Sequence, residues 1–146
     1  MTILTKSTAE TEAAGRALAK ELDTAGRKSA FIAMRGEMGV GKTAFTRGFA
    51  SHFGILGVKS PTYTIVNEYR GKANIFHFDM YRISDADDLY SIGYDDYVSS
   101  EGFIIAEWSE NIDDEIPSDA IFVTISRTDG DSEERKIEIT YENTCV

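Results

Sequence analysis

Eight consecutive residues, Gly36-Glu37-Met38-Gly39-Val40-Gly41-Lys42-Thr43, follow the spacing G-x-x-x-x-G-K-[ST]. Few folds are open to a chain that carries this octet between an apolar run and an amphipathic one. The run before it, Ser29-Ala30-Phe31-Ile32-Ala33-Met34, fits a buried strand, and Ala44-Phe45-Thr46-Arg47-Gly48-Phe49-Ala50 continues as a helix. Strand, glycine-rich loop and helix in that order predict a polyphosphate cradle. Glycines let the backbone close around phosphates with successive N–H groups facing the oxygens. Lys42 would bridge the β- and γ-phosphates as a point charge, and the Thr43 hydroxyl would ligate Mg²⁺. The helix start adds its positive dipole end to the same place.

The remaining pattern predicts α/β architecture in a single domain spanning residues 1–146. Ser7 and Glu10 form a capping box ahead of Ala14, Leu18 and Leu22, which mark an amphipathic helix ending near Gly26. The helix after the loop ends around Gly54. Strands are expected over 63–69 and Asn74–Asp79, joined by a turn at Arg70-Gly71-Lys72-Ala73. Ser84 with Asp87 is expected to cap a further helix through Leu89 and Ile92. A buried strand at Phe103–Trp108 and a hairpin, 120–125 and 135–141 around Asp129-Gly130, complete the chain. Short connections make some strand neighbours antiparallel, so the sheet is mixed and flanked by helices.

Charge narrows the function. Fifteen Lys and Arg against 25 acids leave a net charge of −10, whereas a domain gripping nucleic acid directly carries a basic face. Any action on RNA is therefore expected to pass through another protein. Acidic clusters such as Asp85-Ala86-Asp87-Asp88 and Asp113-Asp114-Glu115 read as solvated faces. The lone Cys145, two distant histidines and the lack of a long apolar run predict a cytoplasmic protein without structural zinc, disulfide or membrane segment.

Ligands of open α/β sheets bind beyond the carboxyl ends of the strands, and two predicted strands end there in an acid, Asp79 and Glu107. A phosphate loop needs one acid for Mg²⁺ and uses another to orient water. The residues alone do not assign which is which. If strand 74–79 runs parallel to the strand before the loop, its hairpin partner begins at the ligand end. That places Ser60, Pro61, Thr62, Tyr63 and Thr64 beside the γ-phosphate as a switch, with edge-strand threonines as the plainer alternative. Trp108 fits either the core or the flank of the nucleotide, and His77 reads as a structural histidine.

Taken in order and spacing, GEMGVGKT, SPTYTIVNEY, FHFDMYR and AEW resemble the TsaE family, ATPases needed to make threonylcarbamoyladenosine at position 37 of tRNA. The resemblance runs from about Ser7 to the last hairpin. It implies a P-loop NTPase-like domain with ATP and Mg²⁺ as cofactors, weakly hydrolytic alone. Lys42 and Thr43 become the phosphate and metal ligands, Asp79 and Glu107 the site acids, and Glu107 the metal neighbour. Trp108 matches the family's tryptophan beside that acid, and Thr8 or Thr11 with Arg127 edge the adenine. The implied partners are TsaD and TsaB, with TsaC in the same pathway and tRNA met only indirectly. A small-molecule kinase and a nucleotide-gated module with little hydrolysis are the competing readings. The first is short of chain for a second pocket and lid.

Overall fold

The computed structural model describes residues 1–36, 40–59, 66–128 and 133–141. Its elements are β1 (Thr2–Thr5), α1 (Thr8–Thr24), β2 (Ala30–Arg35), α2 (Lys42–His52), β3 (Val66–Arg70), β4 (Asn74–Asp79), α3 (Ala86–Ser91), α4 (Tyr94–Ser99), β5 (Phe103–Glu107), β6 (Ile121–Arg127) and β7 (Arg135–Tyr141). A short 3-10 segment, Ser109–Glu115, follows β5.

One seven-stranded sheet runs β1-β7-β6-β2-β5-β4-β3. The four inner strands β6, β2, β5 and β4 are mutually parallel, whereas β3, β7 and β1 pair antiparallel to their neighbours. The mixed sheet expected from the short connections is therefore present. Every residue of β5 is buried, as a parallel strand covered on both faces should be. β6 and β7 alternate buried and open positions instead, so the outer hairpin covers only one of its faces.

Long helices α1 and α2 cover one face over Leu18, Leu22, Phe45, Phe49, Ile32, Ile75, Phe103 and Ile105. Ser7 caps α1 by accepting the Glu10 N–H at 3.1 Å, and Glu10 in return accepts the Lys6 N–H at 3.0 Å. The two helices touch backbone to backbone. A Cβ added to Gly48 would lie 1.8 Å from the Glu12 carbonyl oxygen, and one on Gly15 2.0 Å from that of Phe45. The opposite face carries the short helices α3 and α4 over Phe31, Phe76, Phe78, Leu89 and Tyr94.

Several elements differ from the sequence expectation. β1 and α4 had no predicted counterpart. The cap of α3 is Asp85, which accepts the Asp88 N–H at 2.8 Å, and the expected Ser84 cap is corrected by one residue. Asp85 is extended with φ −156°, while Ser84 contributes its own N–H to Asp88 at 3.2 Å. The hairpin turn around Asp129-Gly130 and the segment Ser60–Thr64 lie outside the described residues.

Candidate functional site

β2 is central, and its carboxyl end leads through the glycine-rich octet into α2. Of the octet, Glu37, Met38 and Gly39 lie outside the described residues. The flanks are tightly determined. Gly36 has φ +142°, and a Cβ there would meet the Ile125 carbonyl oxygen at 2.3 Å, so the chain must leave β2 pressed against β6. Gly41 has φ +109° and forms the N-cap of α2 with no side-chain capping bond. The N-cap thus supplies no side-chain acceptor to the first-turn N–H groups of α2.

Lys42 begins α2 and is only 4% exposed. Its Nζ donates to the Gly36 carbonyl at 2.8 Å and stands 4.4 Å from the centre of the Trp108 ring. It forms no ion pair among the described residues. Thr43, the next residue, is half-buried on the first turn. Thr46 anchors the helix start from below, donating to the Lys42 carbonyl at 3.0 Å.

The two strand-end acids arrive at the same edge. Ala33 of β2 lies opposite Ala106, and Asp79 lies opposite Glu107, all in parallel register. Glu107 follows Phe103 and Ile105 on the face covered by α1 and α2, so it points to the side of the sheet that carries the loop. Its environment differs from that of Asp79. Glu107 is 7% exposed, and its Oε2 is 2.5 Å from Nε2 of the fully buried His77. Asp79 is half-buried and accepts the Tyr81 N–H at 3.0 Å, closing an Asx turn at the end of β4. Beyond Glu107 the chain turns sharply. Trp108 adopts φ +59°, the one positive φ among the described non-glycine residues, and the turn brings its ring to Lys42 and to Tyr81, 5.2 Å between centroids.

Other expected contacts fall at different distances from this centre. Thr11 is buried in α1, shares a 2.8 Å hydroxyl contact with Thr5, and has its methyl 3.6 Å from where a Gly41 Cβ would sit. Thr8 is exposed at the start of α1, and Arg127 is exposed at the end of β6, two residues beyond the Ile125 carbonyl that limits Gly36. β3 starts at Val66 opposite Phe78, so the expected direction of the hairpin holds, while the residues expected to act as a switch are not described.

Sequence reasoning missed two contacts. Arg135, the first residue of β7, donates from Nε to the Val40 carbonyl at 2.9 Å and so fastens the loop to the far hairpin. No local motif marks it; only the pairing of β7 with β6 brings it there. His77, expected to be structural, holds an acid of the candidate site, a diagonal contact that appears only once β4 and β5 are neighbours.

A parallel-cored sheet with a Gly-Lys-Thr turn opening α2 defines a P-loop-like α/β domain. The model of the family described as "Threonylcarbamoyl adenosine biosynthesis protein TsaE" matches residues 5–137, and the chain belongs to that family. It is 34% identical to the tRNA threonylcarbamoyladenosine biosynthesis protein TsaE of Bacillus subtilis, covering 89% of this chain and 84% of that one. The TsaE protein of Haemophilus influenzae is 40% identical, over 77% of this chain and 70% of its own. The crystal structure of Bacillus subtilis YdiB superposes with a TM-score of 0.79 at 28% identity, over 98% of this chain and 86% of that one. Among the described residues, no helix is long and apolar enough to cross a membrane.

Proposed function

We propose that this chain is an Mg²⁺-dependent ATP-binding protein and ATP hydrolase that supports threonylcarbamoyladenosine synthesis at position 37 of tRNA by acting on the TsaB–TsaD complex. The observation that carries the reading is Lys42, a cation 4% exposed that meets an aromatic face and one carbonyl but no carboxylate among the described residues. A charge taken out of water costs several kcal/mol unless a counter-charge answers it, on the order of the figures for unpaired buried ions. A phosphate is the anion that the uncapped start of α2 also attracts.

The donor set fits nucleotide and metal together. Lys42 and the backbone of residues 36–43 take the phosphates, and the Thr43 hydroxyl with the Glu107 carboxylate would hold Mg²⁺. When bound, Mg²⁺ neutralises charge on the phosphate oxygens. Asp79 orients water at the neighbouring strand end. Trp108 screens the Lys42 side of the site from solvent, and Thr8, Thr11 and Arg127 border the base. Ser60 to Thr64 read the terminal phosphate, since β3 starts at the ligand edge. Family membership and the net charge of −10 support protein partners, TsaD and TsaB, as the direct contacts.

Phosphate release from ATP, measured for the chain alone and with TsaB–TsaD, tests this reading. Slow release that rises when the complex is added is the expected result. ATP binding with no release in either condition would make the chain a nucleotide-gated module instead. Phosphoryl transfer to a small molecule would make it a kinase.

A further inference from the structure

His77 lies wholly buried on β4, on the same face as Ile75 and Asp79, and its side chain reaches diagonally across to β5. Its Nε2 meets Glu107 Oε2 at 2.5 Å, while Nδ1 is buried with no hydrogen-bond partner among the described residues. A carboxylate oxygen only accepts, so the imidazole proton sits on Nε2 and is donated to Glu107. Nδ1 is then the bare nitrogen, which has no proton to satisfy and tolerates its apolar surroundings better than an N–H would. The ring is thereby held in one tautomer and one orientation, and Oε2 is committed to it. Glu107 Oε1, at the end of β5, has no hydrogen-bond partner among the described residues and carries no such commitment.

We infer that His77 is a positioning residue for Glu107, fixing which carboxylate oxygen is presented to the Mg²⁺-nucleotide site. This rests on the reading of Glu107 as a member of that site. Two features distinguish it from ordinary core packing. An apolar side chain would fill the same space between Ile75 and the helices at no desolvation cost, and the hydrogen bond ends on a group at the sheet's ligand edge rather than on a backbone carbonyl. Among the described residues Asp79, one strand over, has no comparable side-chain partner and accepts a backbone N–H. An outer partner of this kind typically changes metal affinity or activity by about 10- to 100-fold when removed.

The test uses the whole chain in two arms. In nucleotide-free protein, nitrogen-resolved NMR of the imidazole should find His77 as the Nε2–H tautomer, and Glu107→Ala should abolish that single state. In the second arm, partner-stimulated ATP hydrolysis is compared for wild type, His77→Leu, His77→Gln and Glu107→Ala. His77→Leu should lower kcat about tenfold or more with little change in KM. His77→Gln, whose amide N–H replaces the Nε2–H donor, should recover most of the loss. An Nδ1–H tautomer in wild type would overturn the inference even if the Leu variant fails to fold. So would a folded His77→Leu protein with wild-type kcat, or a Gln variant no better than Leu. Wild-type hydrolysis by Glu107→Ala would overturn instead the placement of Glu107 in the site.

Discussion

The two faces of the sheet are built on different principles. On the α1–α2 side, helices of 17 and 11 residues lie with their backbones in contact through Gly15 and Gly48. An ion pair from Arg47 to Glu12 and a hydrogen bond between His52 and Asp23, both at 2.9 Å, join them along the seam. On the other side, α3 and α4 have 6 residues each, and α4 is held by aromatic edges: Tyr97 meets Phe76 and Phe78, and Tyr94 meets Phe31 and Phe78. Glu107 and the start of α2 belong to the first face. The proposed site thus stands where backbone geometry is least free to relax, while the acidic, tyrosine-rich face has looser, side-chain-made contacts.

The largest effect expected from this contrast is on stability. Gly48→Ala puts a methyl group against the Glu12 backbone, which has no rotamer to give, so the helices must separate at a cost of about 3 kcal/mol. Chemical denaturation measures it. A gain of about 1 kcal/mol, the ordinary helix-propensity benefit of replacing glycine, would mean that the helices do not approach so closely.

Lys42→Ala separates packing from chemistry on that same face. Lost charge-assisted contacts should weaken ATP binding by about 1.5–3 kcal/mol, while the denaturation midpoint of the free protein should not fall, because the uncompensated buried charge leaves with the side chain. Isothermal titration alongside denaturation reads both, and unchanged ATP affinity would break the link between the packed face and the site.

A smaller effect belongs to the opposite face. Tyr94 donates its hydroxyl to the Glu115 carbonyl at 2.9 Å, and burial, then the nearby Glu115 carboxylate, pushes its ionisation well above the usual tyrosine value. Tyr94→Phe keeps the ring contacts and should cost about 1 kcal/mol at neutral pH. The folded state favours the neutral phenol, so this contribution is complete below the unfolded tyrosine value of about 10 and is lost as pH rises beyond it. The variant should therefore lose stability less steeply on the alkaline side. Parallel alkaline limbs for variant and wild type would show that Tyr94 ionises as freely folded as unfolded.

Much of the first face was legible because its signals are local. The octet, the apolar run before it and the i, i+4 spacing of Ala14, Leu18 and Leu22 need only a few neighbouring residues to be read. β1 gave no such signal: only Thr5 of its 4 residues is buried, and its partner is β7, at the far end of the chain. α4 is too short for a helical period, and its N-cap is Gly93 in a left-handed conformation rather than a capping side chain. In the site, Lys42, Thr43 and the two strand-end acids could be proposed from position along the chain. The grip of His77 on Glu107 and of Arg135 on Val40 depends on strand order, which residue spacing does not encode.

In the proposed function the start of α2 and the end of β5 act as one Mg²⁺-nucleotide site. ATP titration with Mg²⁺ and again in EDTA, followed by the fluorescence of Trp108 beside Lys42, addresses it most directly. Thr43→Ala and Glu107→Gln should each weaken binding in Mg²⁺ by roughly tenfold or more, as the loss of a ligand or charge-assisted contact does, and far less in EDTA. Equal losses in the two conditions would contradict the claim and leave both residues without a part in holding the metal.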